Sequence, residues 1–255
     1  MYREVKHSYS YLANQELLWC PRDSEDVYNK HLDLRKSDLE KYNWINKNFT
    51  YKFNSKGFRS DEFSQDDNML TLGCSHAMGI GLPVENTWAH IVSSRLGLKN
   101  FNLGLGGGSN DSSFRMAHNW IHQLKPKIVV LMVTHAVRME VVSEDEIHQY
   151  YVADSHINSG DDLLWNYWIT NDTNSTMNAI KNTMAIQHMC DVQKIKLVIT
   201  NHMCSREVDF ARDLMHAGVK TNEIIADNVC NIIDGSADSF GSCLHYNSIH
   251  PDDKL

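Results

Sequence analysis

The sequence predicts an α/β sandwich built on buried parallel strands. Short apolar runs, several rich in Val and Ile, recur along residues 69–200, and segments with helical periodicity separate them. Glycine or small polar residues close several of these runs. Strand, helix, strand, helix in succession calls for right-handed crossovers and helices packed on the sheet.

Residues 1–66 are polar and aromatic with few clear periods, and they end in the turn-rich YKFNSKGFRSDEF. They form an N-terminal accessory segment packed on the core. The predicted strands run from Met69 to Leu72, Asn100 to Leu103, Ile128 to Thr134 and Ile195 to Thr200. A helix is expected over Glu85 to Leu96, where Trp88, Ile91, Val92 and Leu96 share one face. Another is expected over Asp111 to Leu124, where Phe114, Ala117, Ile121 and Leu124 repeat at helical spacing. Longer helical segments cover Ser175 to Val192 and Gly218 to Ile233. The core domain is therefore 67–233, and 234–255 is a polar C-terminal tail. Sheets of this kind place their sites at the carboxyl ends of the strands, which selects the loops after residues 72, 103, 134 and 200.

At 255 residues the chain can bury a substantial core. Its 42% hydrophobic and 22% charged residues are ordinary for a globular protein. The formal net charge of -8, without a cluster of Lys and Arg, argues against nucleic acid or an anionic membrane as partner. No apolar run reaches the ~18 residues of a membrane span. The stretch MYREVKHSYSYLANQELLW lacks a signal peptide's apolar centre, so a cytoplasmic location is the default expectation. Cysteines at 20, 74, 190, 204, 230 and 243 are irregularly spaced and read as free thiols. No His or Cys set has metal-ligand spacing, and neither metal nor cofactor is expected.

The first strand stops at Gly73-Cys74-Ser75-His76. Ser75 reads either as a helix N-cap or as a nucleophile whose own backbone N–H helps to hold an oxyanion. A serine nucleophile needs a base, because its hydroxyl is weak at neutral pH. His76 is not that base, since neighbouring side chains point apart. Cys74 is a rival nucleophile or a small packing residue. The second strand ends in NFNLGLGGGSND. Its N-x-G-x-x-G lacks the first glycine of a dinucleotide fingerprint. Such a loop is either a plain turn or a source of backbone N–H groups for a developing negative oxygen. Near the far end, Asp213-Leu214-Met215-His216 places a carboxylate where it can orient an imidazole.

Together these blocks resemble the SGNH hydrolase (GDSL-like lipase and acylhydrolase) family over residues 50–233. Gly73-Cys74-Ser75 stands for that family's Gly-Asp-Ser, Asn102 to Gly107 for its glycine loop, and Asp213-x-x-His216 for its last block. The approach FNSKGFRSDEF followed by LGCSHAMGIGLPVENTW looks like the cytoplasmic and phage-encoded branch of such proteins. The resemblance implies a three-layer α/β/α sandwich with a flavodoxin-like parallel sheet of about five strands. It implies a serine esterase acting on a carboxylic ester, with a short acyl group such as acetyl on a carbohydrate or small molecule. Ser75 would be the nucleophile, His216 the base and Asp213 its orienting acid. The N–H groups of Ser75 and Gly107 would line the oxyanion hole.

The family's third block carries an Asn donor where this chain has Thr134 and His135, in LMVTHAVRME. Strand alternation lets at most one of the two face the site, and His135 is favoured for its reach. His250, in NSIHPDD, competes with His216 but has Asn247 rather than an acid three residues before it. The alternatives are a non-catalytic module that holds a sugar chain in the same cleft, and acyl transfer to a sugar. Residues 140–172, with Tyr150, Tyr151, Trp165, Tyr167 and Trp168, would shape the substrate pocket or simply pack.

Overall fold

The computed structural model describes residues 6–142, 147–150, 168, 171–201 and 208–237. The strands are β1 (Glu16–Leu17), β2 (Tyr51–Lys52), β3 (Asn68–Leu72), β4 (Lys99–Asn102), β5 (Ile128–Val133), β6 (Met139–Val142), β7 (Ile147–Tyr150) and β8 (Lys196–Asn201). The helices are α1 (Glu25–Leu34), α2 (Lys36–Lys41), α3 (Ser75–Met78), α4 (Trp88–Leu96), α5 (Asn110–Leu124), α6 (Asp172–Val192) and α7 (Val219–Asp234).

Four strands form one parallel sheet in the order β4-β3-β5-β8. Side chains alternate across it, because successive Cβ atoms leave a strand on opposite faces. Leu70, Leu72, Val129 and Leu131 pack on one face with Ala117, Ile121 and Leu124 of α5 and Ile186 and Cys190 of α6. Met69, Val130, Met132 and Val198 pack on the other with Ala89 and Val92 of α4 and Ile225, Ala226 and Val229 of α7. The result is a three-layer α/β/α sandwich. Apolar residues on both faces of each central strand explain why the runs read as continuous rather than alternating. The resemblance implied about five strands; four lie among the described residues.

Local chemistry sets the helix ends. Thr87 caps α4 by accepting from the N–H of His90, and Ser109 closes a capping box with Ser112 at the start of α5. Strands β3 and β5 are neighbours, but the chain leaves β3 for α4 on one face and β5 for α6 on the other. Such a switch opens a crevice at the carboxyl ends of the two strands.

The N-terminal segment is built into this frame. Tyr9, Leu12, Cys20, Tyr51, Phe53 and Phe58 belong to the same cluster as the α5 face of the sheet. A separate cluster joins Leu39 and Trp44 to Leu82, Ala211 and Leu214. Trp44 is 1% exposed, and its ring N–H donates to the carbonyl of Phe210 at 2.8 Å. Truncating such a buried ring costs about 3–5 kcal/mol. β1 and β2 pair as a small antiparallel ribbon, as do β6 and β7. Cys20, Cys74, Cys190 and Cys230 are free thiols.

Candidate active site

The end of β3 turns through Gly73, where a Cβ would come within 2.9 Å of the Ala77 side chain and 3.0 Å of the Met132 carbonyl. Only glycine lets the chain pass there and start α3 at once. Cys74 is the N-cap residue and makes no side-chain cap bond, and Ser75 is the first helical residue. The cap alternative for Ser75 is therefore not adopted. Cys74 is fully buried and serves as packing at the strand end. Ser75 is 7% exposed and follows the carboxyl end of β3.

The glycine loop runs along this turn. The N–H of Leu103 donates to the Thr71 carbonyl at 2.8 Å, and that of Leu105 to the Gly73 carbonyl at 3.0 Å. Asn102 fastens the loop to α3: its Nδ2 donates to the Ala77 carbonyl at 2.7 Å and its Oδ1 accepts from the N–H of Gly104 at 2.9 Å. A Cβ on Gly104 would meet the Met78 nitrogen at 2.7 Å, and one on Gly106 would meet the Tyr9 hydroxyl at 2.0 Å. Tyr9 of the N-terminal segment thus lies directly under the loop. Gly107 has φ +73°, in the left-handed region where glycine is at no steric disadvantage. Among the described residues, neither the N–H of Ser75 nor that of Gly107 has an acceptor. Backbone N–H groups without acceptors can receive an oxyanion.

Asp213 and His216 lie in a tight turn rather than at a helix start. The N–H of Leu214 donates to the Ala211 carbonyl at 2.9 Å, and that of Ala211 to the His216 carbonyl at 2.8 Å. Leu214 takes a left-handed φ of +52° to close the turn. The fully buried Asp213 accepts at Oδ1 from the N–H groups of Met215 and His216, each at 3.1 Å. Its Oδ2 pairs with His216 Nδ1. That pairing directs Nε2 of the ring outward, where it can exchange a proton with a hydroxyl.

The His216 ring lies against that of His76 in a tilted contact, with centroids 4.9 Å apart and planes inclined at 57°. His76 is the residue after Ser75, so this contact brings the last block of the sequence to the first. No hydrogen bond joins the Ser75 hydroxyl to His216 among the described residues. Sequence adjacency to Ser75 argues against His76 as a base and carries no sign of its contact with His216. His250 lies outside the described residues.

Thr134 is 5% exposed and its hydroxyl donates to the His135 carbonyl at 3.5 Å. A residue missed on sequence organises this strand end. Asn110, the first residue of α5, accepts from the N–H of Thr134 at 3.1 Å and donates to its carbonyl at 3.2 Å. An asparagine beside an N-cap serine, at the end of the glycine loop, was the signal available. Of the aromatics expected at the pocket, Trp168 donates from its ring N–H to the Val137 carbonyl at 2.8 Å. Tyr151, Trp165, Tyr167 and the Tyr150 side chain lie outside the described residues.

A cavity of about 520 Å³ is lined by Phe49, Arg59, Asp61, Glu85, His90 and Asn100 among others, and by none of Ser75, Asp213 and His216. Among the described residues, no group of three or more His, Cys, Asp or Glu is arranged to hold a metal ion, and no helix is long and apolar enough to cross a membrane.

Neither a protein-family model nor a curated protein matches the chain. Among solved structures it is similar to TesA, with a TM-score of 0.37 and 13% identity over 67% of this chain and 100% of that one. It is similar to the psychrotrophic esterase EstA from Pseudoalteromonas sp., with a TM-score of 0.37 and 14% identity over 67% of this chain and 98% of that one. It is also similar to AlinE4, an SGNH-hydrolase family esterase, with a TM-score of 0.35 and 13% identity over 74% of this chain and 87% of that one.

Proposed function

We propose that the protein is an SGNH-type serine ester hydrolase that removes a short acyl group, such as acetyl, from a carbohydrate or small molecule. The observation that carries the reading is the buried Asp213–His216 couple brought against the Ser75 helix through His76. The Ser75 hydroxyl attacks the ester carbonyl carbon while His216 Nε2 takes its proton. The carbonyl π electrons move to oxygen, and the N–H groups of Ser75 and Gly107 stabilise that charge. The tetrahedral species collapses, the bond to the alcohol oxygen breaks, and His216 returns the proton to the leaving alcohol. Water then attacks the acyl-serine with His216 as base, releasing the acid and restoring Ser75. Asp213 holds the ring tautomer throughout and stabilises its protonated form.

The reading is tested with a panel of p-nitrophenyl esters of increasing chain length and a fluorophosphonate that labels activated serines. The protein should hydrolyse the acetyl ester and take the label at Ser75. Ser75→Ala should lose both, with a rate loss of several orders of magnitude. Wild-type turnover in Ser75→Ala would refute the assignment, and so would loss of turnover in Cys74→Ala alone.

A further inference from the structure

Four residues link the two halves of the site through a closed ring of hydrogen bonds. Arg212, immediately before Asp213, donates to Asp23 from Nε at 3.1 Å and from Nη2 at 2.7 Å. Asp23 accepts from the Tyr51 hydroxyl at 2.5 Å. The same hydroxyl accepts from the N–H of Gly81 at 2.8 Å. The Gly81 carbonyl accepts from the N–H of Arg212 at 3.0 Å, which closes the ring. Gly81 lies three residues past the helix that Ser75 begins, and Arg212 lies four residues before His216. Asp23 and Tyr51, from the N-terminal segment, add a side-chain bridge beside the direct backbone bond.

The ring is buried and braced. The side chains of Asp23 and Arg212 are each 1% exposed. The guanidinium of Arg212 lies 4.1 Å from the Trp19 ring and 4.0 Å from the Phe49 ring. Arg59, whose guanidinium lies 4.3 Å from the Tyr51 ring, donates to the carbonyls of Gly79 and Leu82 on either side of Gly81. Burial, and then the Asp23 carboxylate, raises the Tyr51 pKa well above its ordinary value, so the phenol stays protonated and donates to Asp23. No room is left for slippage: a Cβ on Gly81 would come within 2.7 Å of the Ala211 side chain and 3.1 Å of Asp213 Oδ1.

We infer that this Asp23–Tyr51–Gly81–Arg212 ring is a positioning device that sets the approach of His216 to Ser75, with Tyr51 and Asp23 as positioning residues contributed by the N-terminal segment. The inference rests on the serine-hydrolase reading above. A buried ion pair alone would be weak evidence of stabilisation, because desolvation offsets much of its attraction. What the ring adds is registry between two loops that share no other backbone bond than Arg212 to Gly81 among the described residues. A displacement of about 1 Å at a catalytic pair can lower the rate 100-fold.

The test is Tyr51→Phe, which removes one oxygen and keeps the ring over Arg59. Acetyl-ester kinetics and the rate of fluorophosphonate labelling are measured for wild type, Ser75→Ala and Tyr51→Phe, well below their melting temperatures. Tyr51→Phe should lower kcat and labelling on the order of 10- to 100-fold. KM should stay within about two-fold, and the pH at which activity half-develops should not move, because the Asp213–His216 couple is intact. A purely structural role would change the melting temperature and leave kcat alone. A folded Tyr51→Phe that labels at the wild-type rate overturns the inference while leaving the hydrolase reading in place. A wild type that neither labels at Ser75 nor turns over ester overturns both. If Tyr51→Phe does not fold, Asp23→Asn is put through the same measurements with the same criteria. Failure of both to fold would make the network structural and overturn the positioning role.

Discussion

Replacing Asp213 with Asn tests the proposed mechanism at its most constrained atom. Asp213 Oδ1 accepts two backbone N–H groups at 3.1 Å, so an amide NH₂ placed there would face two donors. Asn must therefore turn its NH₂ toward His216 Nδ1, the position now held by Oδ2. The ring nitrogen at Nδ1 then has to accept, its proton moves to Nε2, and Nε2 can no longer take the Ser75 proton. The same substitution in a serine protease triad lowers kcat about 10⁴-fold, which corresponds to about 5.5 kcal/mol of activation free energy. The Oδ1 bonds survive, so the turn should hold and the melting temperature should fall by only a few degrees. Acetyl-ester turnover is compared with circular dichroism and thermal unfolding on the same preparations. Activity within 10-fold of wild type in a folded Asp213→Asn would show that this carboxylate does not govern the base, and the mechanism would be wrong.

The contribution of the third strand end is separable. Thr134→Val and His135→Ala are each made and assayed; a side-chain oxyanion donor should cost about 10²–10³ in turnover when removed, and near-wild-type rates in both would mean that backbone N–H groups suffice. The pH dependence of stability should carry the signature of His7. Burial pushes its pKa down to about 4 from 6.5, against the opposing bond to the Lys56 carbonyl. Between those values the unfolded chain binds the proton and the folded chain does not. Stability should therefore fall as pH drops from 6.5 to 4, by up to about 1.4 kcal/mol per pH unit from this group. Denaturant midpoints across that window should be flatter for His7→Gln, and equal slopes would refute the assignment.

The sheet was legible because each central strand is apolar on both faces, so Met69 to Leu72 and Ile128 to Val133 stand out in any short window. The same holds for α5, whose buried positions fall at helical spacing. The Asp213–His216 pairing was legible as a motif, since a carboxylate three residues before an imidazole can reach its ring. The roles of Asp23, Tyr51, Arg59 and Arg212 were not. They are polar residues buried only because each finds a partner far along the chain, and hydrophobic periodicity carries no trace of that. Asn110 was passed over for a related reason: its bonds to Thr134 cross 24 residues. The left-handed turn at Leu214 also escaped, because Leu rarely adopts that conformation and surrounding packing imposes it.

The pairing of Asp23 with Arg212 spans 189 positions, and Trp44 reaches Phe210 across 166. During synthesis at about 5–20 residues per second, Asp23 leaves the ribosome roughly 10–40 s before its partner exists. In that interval Asp23 lacks the Arg212 guanidinium and the Trp44 ring N–H lacks its acceptor at Phe210. Long-range closures of this kind form late and slow the search for the native state. The consequence is temporal: the Ser75 turn and its glycine loop can assemble before Arg212 and the Asp213–His216 turn have been made. A nascent chain halted before residue 210 would carry Ser75 without the Asp213–His216 couple.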